Sequence, residues 1–415
     1  MKSNHFLCAT IAAFWLFLFC NGCGEDHKAQ PIVEKPVELT LEQKDSISKE
    51  EIKRCDTFPK INYKRIFLKD NKTFRQIFKS DSKDSGLKEY RKVLFTLNRK
   101  EFKFFRVGDS VIVPDIFSKD VRIYSCFPQC YPGAKDIKKI IMVSNKLQCY
   151  ACYEYGKLVR FAAANTGKEK TPTYPGRYGL SWKERMRHSS IDSSWIMPFD
   201  WNFHKYAGNG MHQFEMPGRP VSHSCIRQLM DDAEWMFKWG EGEKKDSTGK
   251  PKYLTGTPLI IIDIFNFSRK HYGPWADLTN NKDSILKLPL EPMKVEEALI
   301  PWCQIPDDSK GAIPNRKRYI HAEDTLRAKG IIRQGVELIE TVNYNKVKRQ
   351  KAAVAYKKKM KELKEQQELQ PSEFHNDNSE QKKENIDSKK INIQSKKYIQ
   401  KPKKRTTKLK KIKRK

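Results

Sequence analysis

The chain has 415 residues, 38% hydrophobic, 11% aromatic and 32% charged, with 20 glycines and 21 prolines. A collagenous or wholly low-complexity protein is excluded, and with only one apolar run near membrane length so is a polytopic membrane protein. Lysine and arginine number 81 against 50 acidic residues, a net charge of +31 that calls for an anionic partner or surface. The excess gathers after about Asn345, so it describes a tail more than a fold.

Met1-Lys2 and the apolar stretch Phe6 to Phe19 read as a signal peptide covering residues 1–22, too short to span a bilayer comfortably. Cys20-Asn-Gly-Cys23 follows and resembles a bacterial lipoprotein cleavage site with Cys23 as the lipidated residue. Gly22 fits that pattern; Cys20 and Asn21 fit it less well. Lipidation, plain secretion and an uncleaved anchor stay open, and each places the mature protein outside the cytoplasm. The expected location is the cell envelope, in the periplasm or as an outer-membrane lipoprotein, with membrane contact through the lipid.

The ten cysteines belong to that compartment. Cys8 and Cys20 leave with the signal, while Cys55, Cys126, Cys130, Cys149, Cys152 and Cys303 read as disulfide partners or buried thiols. Cys126-x3-Cys130 and Cys149-x2-Cys152 have a zinc-like spacing. However, Leu147 to Tyr155 reads as a strand, and residues three apart on a strand face opposite ways. No metal is expected, and with no glycine-rich phosphate loop no nucleotide cofactor either.

Residues 23–60 are polar, carry Pro31 and Pro36, and read as a linker. A compact α+β segment follows over 63–115, from Ile66-Phe-Leu-Lys-Asp-Asn-Lys-Thr73 to Phe105-Arg-Val-Gly-Asp-Ser-Val-Ile-Val-Pro114. Its Gly108-Asp109 turn, the strand ending at Pro114 and the Thr73/Ile77/Asn98 spacing resemble a LysM module, a small peptidoglycan-binding βααβ fold. The insert at 81–86 is long for that family, and an unrelated α+β spacer is the other reading.

Residues 137–266 are the best-patterned stretch. Ile140–Val143 is a strand, and Leu147–Tyr155 with Leu158–Ala164 forms a hairpin about Tyr155-Gly156-Lys157. One amphipathic helix spans Gln228–Trp239, and Pro258–Ile264 is a buried strand. The fold class expected is mainly β, with one long helix after the candidate nucleophile. Residues 267–345 read as a mixed extension, helical over Ala322–Ala328 and again over 336–340. Residues 346–415 read as a basic, largely disordered tail.

The chemistry concentrates in Gly210-Met-His212-Gln-Phe-Glu-Met-Pro-Gly-Arg-Pro-Val-Ser-His-Ser-Cys225-Ile-Arg227. Cys225 stands close before a helix among His223, Arg219 and Arg227. Helix N-termini and cations both favour thiolate, so a lowered pKa is expected, with a histidine to take the proton. Trp182, Trp195, Trp201 and Trp235 are expected in the core rather than along a peptide cleft.

Ser222-His-Ser-Cys-Ile-Arg227 resembles the Ser-His-Gly-Cys-Ile-Arg signature of L,D-transpeptidases, the YkuD/ErfK family. Gly210-Met-His212 and Pro217-Gly-Arg-Pro-Val-Ser222 match the histidine loop that precedes it. Gly156-Lys-Leu-Val-Arg-Phe161, the Asn165–Gly179 stretch, Asp232-Ala-Glu-Trp235 and Gly256-Thr-Pro-Leu-Ile-Ile-Ile262 follow the family order. Ser224 replaces the signature glycine, which puts the oxyanion geometry in question, and Gln213 replaces a small residue.

The resemblance implies a β-sandwich or barrel carrying cysteine acyl transfer. Cys225 would be the nucleophile and His212 the general base, oriented by the Gln213 carbonyl. Backbone N–H groups around His223, Ser224 and Cys225 would hold the oxyanion, with Ser222 in support. Arg227, Arg219 and Gly210 would meet the substrate, although Arg227 tying the loop through carbonyls is an equal reading. The donor would be a peptidoglycan tetrapeptide stem, cut between its diamino acid and D-Ala. The acceptor would be a second stem (3→3 cross-linking), a protein lysine, or water in an L,D-carboxypeptidase. A non-catalytic wall-binding lipoprotein is the reading from a different class. Behind a signal sequence the basic tail is expected to meet anionic envelope components rather than nucleic acid.

Overall fold

A computed structural model describes residues 39–79, 86–189, 194–269, 272–283, 285–340, 354–362 and 365. The expected signal peptide, Cys23 and nearly all of the basic tail lie outside the described residues. The chain divides into two units, Met1–Thr341 and Val342–Lys415. In the second, residues 354–362 are helical. No helix among the described residues is long and apolar enough to cross a membrane.

The first unit opens with α1 (Leu41–Cys55), then β1 (Tyr63–Phe67), α2 (Asn71–Phe78), α3 (Leu87–Asn98) and β2 (Ser110–Pro114). β1 and β2 pair antiparallel, and α2 and α3 lie between them in sequence. Leu68, Phe78, Leu94, Phe105 and Val111 form the small core of this α+β segment. Asn98 ties α3 to β2: its amide nitrogen donates to the carbonyls of Leu94 and Ile112, and its oxygen accepts from Ile112 N–H.

Next come β3 (Ile140–Ser144), β4 (Cys149–Glu154), β5 (Lys157–Ala163), β6 (Gly176–Gly179), β7 (Lys183–His188), β8 (Ile196–His204), β9 (Asn209–Gln213) and β10 (Ile226–Gln228). Helix α4 (Met230–Trp239), strand β11 (Pro258–Ile261) and the short helices α5 (Asp307–Lys310), α6 (Arg316–Ile320) and α7 (Ala322–Ala328) complete the unit. The strands make a five-stranded sheet, β5-β4-β3-β11-β6, and a four-stranded one, β10-β9-β8-β7. The described residues are thus mainly β, with the class and layering expected.

Alternation along the strands divides the core. Ile141, Val143, Tyr150 and Cys152 face the four-stranded sheet and meet Trp201, Phe203, Met211 and Ile226. Ile140, Met142, Cys149, Ala151 and Tyr153 face the other way, against Ile61, Val93, Leu97 and Ile112 of the N-terminal segment. Each large apolar side chain so buried contributes roughly 1.5–3 kcal/mol. Cys149 and Cys152 lie on opposite faces, as their spacing requires. The β4–β5 hairpin turns at Tyr155 and Gly156, both at positive φ. A side chain at 156 would also run into the Tyr131 carbonyl, 2.6 Å from an added Cβ.

Four expectations need correcting. Residues 41–55 are not part of a linker: Thr40 and Gln43 form a capping box that starts α1, and Lys53 and Arg54 suit its C-terminal dipole. The helix after Cys225 begins at Met230, because Gln228 is held in β10 by pairing with β9. Residues 336–340 are not helical; Ile339 N–H bonds to the Lys170 carbonyl instead. Trp182 is exposed, with the Arg187 guanidinium 4.9 Å over its ring.

Helix α1 buries none of its residues, and a Cys55–Cys130 disulfide fastens its end. The other ties include the surface ion pairs Lys44–Glu291 at 3.7 Å, Lys287–Asp45 at 3.2 Å and Lys282–Asp56 at 2.5 Å, each worth about 0–1 kcal/mol, and a hydrogen bond from Thr57 N–H to Gln129. Cys130→Ser is therefore expected to expose Lys44, Lys49 and Lys53 to rapid tryptic cleavage in limited proteolysis. Equal cleavage rates in the two proteins would show that packing, not the disulfide, docks the helix.

Candidate active site

Strands β9 and β10 run parallel, with Met211 opposite Ile226, His212 opposite Arg227 and Gln213 opposite Gln228. One step back along that register, Gly210 lies beside Cys225. Met211 and Ile226 point into the core. Alternation therefore puts Gly210, His212, Cys225 and Arg227 together on the opposite face. Gly210 N–H donates to Cys225 Sγ at 3.4 Å.

His212 is buried, and its Nδ1 lies 2.9 Å from the Gln213 carbonyl. A carbonyl only accepts, so Nδ1 carries the hydrogen and Nε2 keeps a lone pair for a proton. Burial pushes His212 down to about 4, and Arg227 and Arg187 act in the same direction. His223 is placed differently. Its Nε2 lies 3.3 Å from Lys168 Nζ, an ammonium that can only donate, so this nitrogen is already engaged as an acceptor. Of the two histidines, His212 has the nitrogen suited to a base.

The thiol does not have the lowered pKa its sequence neighbours promised. Burial pushes Cys225 up, Asp200 adds to this, and the Gly210 N–H, Arg187 and Arg227 only partly oppose it. The helix dipole is also absent at this point, since β10 separates Cys225 from α4. The resting pair is a neutral thiol beside a neutral imidazole.

The segment around the nucleophile is bound on its flank by residues 165–173. Lys168 N–H and Thr171 Oγ1 donate to the Ser222 carbonyl, and the N–H groups of Val221 and Ser222 donate to the Thr166 carbonyl. Ser222 Oγ donates to the Cys225 carbonyl at 2.5 Å. Ser224 sits at φ +71°, in the left-handed region a glycine takes without cost. Its hydroxyl donates to the Thr171 carbonyl, and its own carbonyl accepts from Thr171's neighbour-but-one, Thr173 Oγ1. The serine keeps the turn through these contacts.

Arg227 resolves toward the loop. Its Nη1 donates to the Glu215 carbonyl at 2.9 Å, and its guanidinium lies 4.6 Å over the Phe214 ring. Arg219 is exposed at its side chain and is held by its backbone N–H on Asn165 Oδ1. Among groups the sequence reading passed over, Phe214 lies 6.0 Å from both the His212 and Trp195 rings, and Trp195 lies 6.0 Å from His223. Trp195 thus lines the site instead of the core. Asp200, Arg187, Lys168 and Asn165 were also missed. Only Asp200 left a trace, as a lone charge in the apolar strand Ile196–His204.

The fold and this arrangement define a cysteine–histidine site of the thiol-nucleophile class. Residues 138–262 match the family model described as YkuD, the L,D-transpeptidase catalytic domain. That stretch of the chain is accordingly an L,D-transpeptidase-type catalytic domain. Solved structures similar to the chain include an L,D-transpeptidase from Stackebrandtia nassauensis at 20% identity, covering 31% of this chain and 57% of that one with a TM-score of 0.26. L,D-transpeptidase 1 of Mycobacterium tuberculosis shows 21% identity, 30% and 62% coverage and a TM-score of 0.23. An L,D-transpeptidase of Xylanimonas cellulosilytica shows 17% identity, 48% and 97% coverage and a TM-score of 0.29. This chain spans less than two thirds of the first two. No curated protein matches it.

Gly210 has no room for a side chain, since an added Cβ would lie 2.1 Å from Asp200 Oδ1. Overpacking of this kind costs about 1–3 kcal/mol and would push the N–H off the sulfur. Gly210→Ala is expected to slow alkylation of Cys225 by iodoacetamide about tenfold, read by peptide mass spectrometry. A wild-type rate would show that the glycine does not hold the thiol.

Proposed function

We propose that the protein is a cysteine-dependent L,D-transpeptidase acting on peptidoglycan stem peptides in the cell envelope. The observation that carries this reading is the parallel β9–β10 register, which sets Cys225 and a correctly tautomerised His212 on one face. In the proposed reaction, Nε2 of His212 takes the Cys225 proton as the sulfur attacks. The carbonyl attacked joins the L-centre of the diamino acid at position three to D-Ala. Backbone N–H groups at His223, Ser224 and Cys225 hold the oxyanion, each such donor being worth roughly 3–4 kcal/mol. His212 returns the proton to the departing D-Ala amine, leaving a thioester on Cys225. An amine of a second stem then attacks the thioester, forming a 3→3 cross-link and freeing the thiol. A protein lysine or water is the acceptor in the anchoring and carboxypeptidase versions of the same chemistry.

In this reading the βααβ segment over 63–115 is a LysM-like module that keeps the enzyme on the wall. Cys23 and the basic tail bind it to the membrane and to anionic envelope components.

Purified tetrapeptide muropeptides incubated with the protein and with Cys225→Ala test the reaction. Cross-linked dimer with loss of D-Ala in the wild type alone is the expected result by mass spectrometry. Tripeptide monomer as sole product would make the enzyme a carboxypeptidase, and identical spectra would leave only wall binding. Because His212 must be neutral to accept the proton and its pKa is held near 4, acylation is expected to fall only below about pH 4. An acid limb near the ordinary histidine value of about 6.5 would contradict that placement.

A further inference from the structure

Asp200 has no part in the reaction above, yet it lies beside the nucleophile. It sits in the middle of β8, fully buried. Its Oδ2 accepts from Arg187 Nη1 at 2.9 Å, while Oδ1 is buried with no hydrogen-bond partner among the described residues. That unpartnered oxygen faces the one place where Gly210 lacks a side chain, and Gly210 in turn gives its N–H to Cys225 Sγ. Arg187 also reaches the Gly208 carbonyl with both terminal nitrogens at 3.4 Å, gripping the turn that delivers Gly210. Phe199, just before Asp200, is held at φ +55°, a conformation an aromatic residue rarely adopts. A buried carboxylate with an oxygen unsatisfied is costly, and packing alone would be better served by an uncharged residue.

We propose that Asp200, clamped by Arg187, is a positioning residue for the nucleophile: it seats the Gly210 N–H on Cys225 Sγ and sets the field in which that sulfur gives up its proton. The reaction it serves rests on the L,D-transpeptidase reading, but the device itself concerns only the thiol. The charges around it come from each strand of the sheet. Arg187 and Glu184 lie on β7, Asp200 on β8, His212 on β9 and Arg227 on β10, with His223, Lys168 and Glu215 on the flanking loops. Asp200 opposes the thiolate; Arg187 and Arg227 favour it and disfavour a protonated His212. The effect is to keep hydrogen on the resting sulfur, so that ionisation waits for the transfer to His212. Burial, assisted by Glu184 and opposed by Arg187, holds the Asp200 carboxyl up at about 6, so the opposing charge is itself switched off in mild acid.

The test is the pH profile of Cys225 alkylation by iodoacetamide in the full chain, followed by peptide mass spectrometry so that Cys303 does not interfere. Asp200→Asn keeps the shape against Gly210 and removes the charge. It is expected to lower the profile's midpoint by about one pH unit, a neighbouring charge commonly shifting a group by about 1–3. Arg187→Gln is expected to raise it. Because loosened packing would also lower a titration that burial has raised, a midpoint that falls in Arg187→Gln as well overturns the proposal. So does an unchanged midpoint in a folded Asp200→Asn protein. Should that variant not fold, the wild-type profile decides: a second inflection near pH 6 supports the device, and a single titration overturns it. Because alkylation needs no muropeptide, its outcome is independent of whether cross-linking is observed.

Discussion

The parallel ladder between β9 and β10 is the constraint on which the site depends. Only three residues of β10 take part, yet their register fixes which side chains meet. A slip of one residue would turn Cys225 and Arg227 into the core and bring Ile226 out. The slip is prevented from the core side. Met211 and Ile226 are locked among Trp201, Phe203 and Tyr150, and Gln228 is held from below by the Tyr150 hydroxyl, which donates to its side-chain oxygen at 2.6 Å. The meeting of His212 and Cys225 is therefore an outcome of core packing, carried to the opposite face of the sheet by strand alternation.

Asn165 extends that constraint to the rest of the first unit. Its backbone pairs with Arg227, its amide nitrogen donates to the Arg99 carbonyl, and its side-chain oxygen accepts from the N–H groups of Gly218 and Arg219. One buried side chain thus joins the end of α3, the loop before the nucleophile and β10. The N-terminal segment adds to this grip: Glu101 N–H donates to the Met216 carbonyl, Lys100 bridges Pro217, and Lys103 pairs with Glu215. Arg99 is itself buried and donates to the Leu147 carbonyl at the turn between β3 and β4. The α+β segment is in this way part of the wall that holds the loop before Cys225.

Much of this was legible in the sequence, and the misses have physical causes. The β4–β5 hairpin and β3 could be read because alternation and the Tyr155-Gly156 turn are local signals. Cys225 and His212 could be singled out as candidates because the signature residues are nearly contiguous. Helix α1 was hidden because its face buries nothing, so no apolar stripe marks it. Strand β10 was absorbed into the following helix because three residues carry no period. Asn165 and Lys168 act through partners more than fifty residues away, which no pattern along the chain records.

The largest error concerned charge, and its cause is general. Sequence shows that arginines and a histidine cluster near Cys225, and in water those neighbours would draw the proton off the sulfur. It does not show that Asp200 lies buried beside them or that Cys225 is itself partly buried. Removing an ion from water costs more than a few nearby cations return unless the geometry is excellent. The arginines moreover have other partners, Arg187 in Asp200 and Gly208 and Arg227 in Glu215 and Phe214, and offset the burial of the thiol only in part. They also oppose a charged His212, so that both members of the pair rest neutral. In the proposed reaction the proton then passes from sulfur to imidazole with no net change of charge in the site.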